Sequence, residues 1–197
     1  GSIYQNFSWL PFFWQTGVDF FPKDQTGKVT TDPGMNQIFS YFRTMRDQGL
    51  LNLHPSRPTT DIGILGNGET AMQISGSWNI PAVEKTYADV PIGVVPLPVP
   101  STGKPATIAG GWKMAVNRHS ENVKEAADFV MWAFAKDTAN PLKWCSEVKF
   151  AYSPRKSVMT AGKDYYKHGL RSVFTDQIFG TERQEPQMPE EISRILT

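Results

Sequence analysis

One cysteine, Cys145, stands in a chain of 197 residues, which excludes an internal disulfide and leaves the redox compartment unreadable from thiol pairing. Beside Trp144 in a helical stretch, it reads as a small buried hydrophobe. Histidines are nearly as sparse: His54, His119 and His168. None has a second histidine or a cysteine at ligand spacing, so no metal site is expected. Charge of one sign is missing as well. Lys and Arg number 20 against 19 Asp and Glu, a formal net charge of +1, so the chain carries no general field for nucleic acid or anionic lipid. No apolar run reaches the length needed to span a bilayer, and no secretory leader is legible at Gly1.

The signatures of catalysis are also lacking. There is no Gly-x-Ser-x-Gly elbow, and Cys145 has no base beside it in sequence. Gly66-Asn67-Gly68 lacks the Lys-Ser/Thr that completes a phosphate loop, so it reads as a turn. Glu190-Glu191 fall at a helix start, where they suit the macrodipole better than paired acid/base work. The expectation is a protein that is not an enzyme and takes no cofactor.

Aromatics, glycine and proline are what the chain has in quantity. Six Trp contribute to an aromatic share of 12%, with 16 Gly and 15 Pro, the composition of short elements joined by many turns. Helical spacing predicts a short helix through Leu10, Phe13, Trp14 and Gly17. A second helix starts at Asp32-Pro33, buries Met35, Ile38, Phe39, Phe42 and Met45, and stops at Gly49. Further helices are expected over 60–65, from Trp78 to Lys85, from Asn122 with Glu125 in capping-box spacing, and from Asn140-Pro141. Strands are expected at 28–30, 70–75, 91–95 and 112–116. The stretch Pro96-Leu97-Pro98-Val99-Pro100 cannot sit inside a sheet and reads as a stiff crossing. Ala151 to Pro154 reads as a second one. Alternating strands and helices make this an α/β fold.

Three passages carry a resemblance. Asn67-Gly68-Glu69-Thr70-Ala71-Met72-Gln73-Ile74-Ser75-Gly76-Ser77-Trp78 is similar to the Asn-Gly-x-x-Ala-Met-x-x-x-Gly-x-Trp string of the family 1 extracellular solute-binding proteins, the maltose- and trehalose-type receptors of ABC importers. Ile92 to Pro98 resembles that family's crossing strand. Gly110-Gly111-Trp112, Asn117 to Ser120 and Glu125 to Phe129 resemble its strand, polar turn and amphipathic helix in order. Pro11 to Gly17 resembles the start of the second lobe, with Val18 where the family usually has another glycine.

The resemblance implies an α/β fold of the periplasmic-binding-protein type (type II), mainly its second lobe with a segment returning to the first. Residues 1–97 would form a second-lobe α/β segment, 98–153 would belong to the first lobe, and 154–197 would return to the second. It also implies a monomer outside the cytoplasmic membrane, free or lipid-anchored. Such a protein would bind a sugar or oligosaccharide and hand it to the permease subunits of an ABC importer. Alternatives in the same class are receptors for a glycerol phosphate ester or a polyamine; in another class, a fragment of a carbohydrate-active enzyme.

Sugar recognition needs flat apolar platforms for C–H faces beside donors and acceptors for hydroxyls. Trp78, between Gly76 and a helix start, and Trp112, after Gly110 and Gly111, are the expected platforms. Trp9 with Asn6 and Phe7, and Arg183 as a multiple donor, complete the candidate set. Each has a plainer reading: Trp78 as a core residue capping the sheet, the glycine pair as a turn, Trp9 as core, Arg183 as a solvated charge. Trp132 and Trp144 are expected to pack.

Overall fold

The computed structural model describes residues 4–19 and 33–186, with backbone alone for residues 4–6. Strands expected at 28–30 and the helix cap at Asp32 lie outside the described residues. The chain divides into two compact units, one of residues 1–74, 95–110 and 178–197, the other of residues 75–94 and 111–177.

The first unit is organised by helix α1, Tyr4–Gln15, and helix α2, Pro33–Asp47. Phe12, Phe13, Val18 and Ile38 form its core, joined by Trp9, Met35, Phe42 and Leu97, while Leu10, Trp14 and Ala106 make a second cluster. The end of α1 shows why these residues stop where they do. Gly17 adopts φ 87°, a conformation that costs glycine little. Its N–H donates to the Trp14 carbonyl at 3.1 Å, and the Val18 N–H to Phe13 at 3.1 Å, the paired bonds of a Schellman cap. Val18 occupies the position after the left-handed residue, where a buried apolar side chain fits and a second glycine is not needed. Gly49, at φ 69°, closes α2 in the same way, with Leu50 N–H on the Met45 carbonyl. A short helix α3, Gly63–Gly66, follows.

The first unit also holds a two-stranded parallel sheet: β1, Thr107–Ala109, against β2, Glu182–Gln184, with Ile108 opposite Arg183. Among the described residues this is the whole of the sheet. The runs 70–75, 91–95 and 112–116, expected as strands, are extended or bent without ladder partners. Their apolar content is real, but a strand needs a neighbouring edge for its N–H and C=O groups. Met72, Val95 and Trp112 are instead exposed.

The second unit is helical. A 3₁₀ turn at Ser77–Asn79 leads into α4, Ile80–Lys85, and α5 spans Val123–Phe134. Then come α6, Ala139–Lys143, a π-helical turn Trp144–Val148, α7, Lys156–Ala161, α8, Lys163–Tyr166, and α9, Arg171–Val173. The capping box expected at Asn122 and Glu125 does not form, for Asn122 gives no side-chain cap; its own N–H donates to Ser120 Oγ at 3.1 Å. The other end of α5 is fixed by Arg155, whose Nη1 donates to the carbonyls of Phe134 and Asp137 at 2.6 and 2.7 Å. Trp132, expected to pack, is 52% exposed and only tilts against Phe129.

Tyr166 and Val158 are fully buried. Tyr152 and Tyr165 surround Tyr166 at centroid distances of 4.8 and 5.1 Å. Cys145 is buried as expected; burial pushes its thiol up, against an opposing hydrogen bond from Tyr166, so it is no activated nucleophile. Arg171 binds Glu84 through two bonds of 2.6 and 3.0 Å. Its side chain is 11% exposed and that of Glu84 39%. Arg171→Met should therefore lower unfolding free energy by about 2 kcal/mol, below the roughly 3–5 kcal/mol of a fully buried pair, as read by urea denaturation. A wild-type midpoint would show that the pair does not hold this unit.

Burial pushes the Tyr152 phenol up from 10.0 to about 12, outweighing a hydrogen bond with Thr175 and the Arg171 charge, and it raises Tyr166 too. The folded state thus keeps protons that the unfolded chain releases first. That stabilisation is complete below pH 10 and lost as pH rises towards 12. Melting temperature should fall across this window by circular dichroism; a flat profile would contradict it.

Candidate functional site

Trp78 and Trp112 both belong to the second unit, and both present open indole surface, at 44% and 77% exposure. Each closely follows a point where the chain enters that unit, after Ile74 and after Gly110. The Trp78 ring folds back over the Gly76 backbone, so a methyl built at Gly76 would overlap it. Glycine there lets one face of the ring rest on the main chain while the rest stays open. Trp78 belongs to the 3₁₀ turn rather than to a loop before it, and Asn79 ties the turn down by donating to Ser75 Oγ at 2.8 Å. Among the described residues neither indole stacks on the other.

Trp112 is engaged from one side. The Lys149 ammonium lies 4.5 Å from its ring centroid and 5.7 Å from that of Trp144, within the range of a cation–π contact. Trp144 in turn meets Phe134 edge-on at 5.6 Å. Sequence reasoning missed Lys149. Residues five apart do not share a helix face in an α-helix, and only the π turn, closed by the Lys149 N–H on the Trp144 carbonyl at 2.9 Å, brings them together.

Of the remaining candidates Gly111 opens a stretch of the second unit, and the others lie in the first. Phe7 packs against Gly110, where a Cβ would overlap its ring, whereas a Cβ on Gly111 would meet nothing. Trp9 stacks on Phe42 at 5.0 Å with an interplanar angle of 19°, so one face is taken by packing. The side chain of Asn6 lies outside the described residues. Arg183 is on β2, not in a loop; its Nη2 donates to Asp19 at 2.9 Å and its guanidinium lies 4.9 Å from the Trp14 ring. None of the eight candidates lines the shallow depression of about 230 Å³ between Met159, Lys163, Tyr166 and Thr175. Among the described residues no three His, Cys, Asp or Glu converge as for a metal ion, and no helix is long and apolar enough to cross a membrane.

The sequence profile of one family, described as bacterial extracellular solute-binding protein, matches residues 2–169. A protein of Deinococcus radiodurans named "Probable ABC transporter-binding protein" is 37% identical over 168 residues, which cover 79% of this chain and 38% of the relative. The chain thus spans well under half the length of that relative. No solved structure matches.

The two glycines before Trp112 make opposite predictions. Gly110→Ala must displace the Phe7 ring and should destabilise the first unit by roughly 1–3 kcal/mol, the scale of overpacking. Gly111→Ala should stay within about 0.5 kcal/mol of wild type. Thermal melts of the two variants decide, and equal midpoints would remove the close approach of Phe7 from the argument.

Proposed function

The chain belongs to the bacterial extracellular solute-binding proteins, and from that membership we propose that it receives a sugar or oligosaccharide and passes it to an ABC importer. As a member of a family of extracellular solute-binding proteins, the chain is not an enzyme. The observation that carries the sugar reading is the pair of exposed indoles, Trp78 and Trp112, each closely preceded in sequence by glycine. Indole faces match the apolar faces of a pyranose and lose little side-chain entropy on binding. Gly111, where a Cβ would meet nothing, would leave backbone groups near Trp112 approachable by hydroxyls, whereas the Phe7 ring covers Gly110.

The mechanism proposed is closure of two lobes by bending at the crossings near Pro96 and Pro154, followed by docking of the closed form on the permease subunits. In this reading residues 1–97 and 154–197 serve the second lobe of a type II receptor, and 98–153 serve the first. Trp9, Phe7, Asn6 and Arg183 form a secondary set. Trp9 and Arg183 would have to exchange their contacts with Phe42 and Asp19 for ligand. The receptor would act as a monomer.

Calorimetric titration of the complete gene product against a panel of oligosaccharides, phosphate esters and polyamines tests the reading. At least one sugar should bind, and Trp78→Ala should weaken it by roughly 2 kcal/mol or more. Binding of a phosphate ester or a polyamine with no heat from any sugar would replace the substrate class. Unchanged affinity in a folded Trp78→Ala protein would return Trp78 to packing.

A further inference from the structure

We propose that Trp112 and Lys149 form a subsite for a carboxylate-bearing sugar, with the pyranose against the free part of the indole and the carboxylate on the ammonium. The proposal rests on the sugar reading above and narrows it to acidic sugars. Three observations meet at this place.

The first is the state of the lysine. Its ammonium is held over the faces of Trp112 and Trp144. Every ion pair among the described residues uses another cation. Nor does any hydrogen bond of the described residues come from Lys149 Nζ. An ammonium carries three N–H donors and no acceptor, and ring faces attract its charge without taking up those donors as an oxygen would. The donors are therefore available to an acceptor arriving beside Trp112.

The second is the backbone that holds it. Trp144–Val148 is a π-helical turn, a form that appears mostly as single turns and frequently at functional sites. Immediately after Lys149, Phe150 takes φ 51°, the only non-glycine residue at positive φ among the described residues. A bulky side chain rarely adopts that conformation, and helix ends normally place glycine there. Ala151 N–H, on the Cys145 carbonyl at 2.9 Å, completes the closure. That bond and the Lys149 N–H on the Trp144 carbonyl, one on each side of Phe150, set where Lys149 leaves the chain.

The third is the asymmetry of Trp112. One side receives the ammonium while 77% of the residue remains accessible. The ammonium lies over a ring face, so a ligand ring laid on the open part meets it with an exocyclic carboxylate directed round the indole edge. A neutral sugar would find the platform but leave the charge unanswered. A simple carboxylate would find the charge but no platform.

The test uses the complete gene product and calorimetric titration of two probes, a glucuronate-terminated disaccharide and its neutral glucose-terminated counterpart. The acidic probe should bind about tenfold or more tighter, the scale of a charge-assisted hydrogen bond, and that preference should shrink with added salt. Lys149→Met, which keeps the stem and removes the charge, should erase the preference by lowering the acidic probe's affinity to that of the neutral one. Lys149→Arg should retain it. A residue that merely props up Trp112 would weaken both probes alike in Lys149→Met, and that result overturns the proposal. So does binding of both probes without preference, which leaves the sugar reading standing. Silence from both probes and from the wider sugar panel removes the sugar reading itself.

Discussion

The Arg171–Glu84 pair is the constraint on which the second unit depends. That unit is assembled from two separate stretches, 75–94 and 111–177, and α4 is too short to hold its place by helix propensity. Arg171 reaches across 87 positions of sequence to grip both carboxylate oxygens of Glu84. Its guanidinium also lies 4.5 Å from the Tyr165 ring centroid, and its carbonyl accepts the Tyr152 hydroxyl at 2.9 Å. Burial pulls the guanidinium down, yet hydrogen bonds to Glu84 and Tyr165 prevail and hold it above its ordinary value. A bidentate fork of this kind fixes direction as well as distance, which lysine could not do. Trp78 lies on the stretch so anchored, six residues before Glu84 in the chain.

The first unit solves its assembly by another route. It too is discontinuous, yet no buried ion pair closes it among the described residues; the Arg183–Asp19 pair is about two-fifths exposed on each side. Aromatic stacking carries the load instead. Phe12, Phe13 and Trp9 meet Tyr41, Phe39 and Phe42 at centroid distances between 5.0 and 6.2 Å, and Leu97 from the proline-rich crossing packs on the same cluster. The alternate prolines keep that crossing extended without ladder bonds, so a single leucine can be pressed into the core while its neighbours stay in solvent.

Helices were legible in the sequence because their signals are local. Gly49 stands just past the end of α2 at Asp47, where a left-handed glycine closes a helix, and the gap between Gly76 and Lys85 does contain a helix. Sheet was not legible, since a strand is a property of two segments. The runs at 70–75, 91–95 and 112–116 have strand composition, yet the only described ladder joins Thr107–Ala109 to residues about seventy-five positions away, which no local pattern announces. The candidate site divides in the same way. That Trp78 and Trp112 each follow closely on glycine could be read from neighbours in sequence. That Phe7 rests on Gly110, that Arg183 is spent on Asp19, and that Lys149 covers Trp112 could not, because each depends on packing between distant residues. The π turn is the sharpest case, since it alters helical spacing itself.

Exposed tryptophan is the feature that a purely structural account explains least well. Keeping an indole in water forgoes roughly 25 cal/mol for each Å² of apolar surface left unburied, and folding had partners at hand: Trp14, in the same chain, is 6% exposed. Trp78 and Trp112 are not simply loose. One is seated on the Gly76 main chain, the other is covered on one side by the Lys149 ammonium. A ring that is fixed yet open has already given up the rotational freedom that binding would otherwise take from it, and still has its hydrophobic surface to offer. Rigidity and exposure oppose each other in an ordinary folded surface. Their coincidence at both residues is the condition under which a flat ligand gains most.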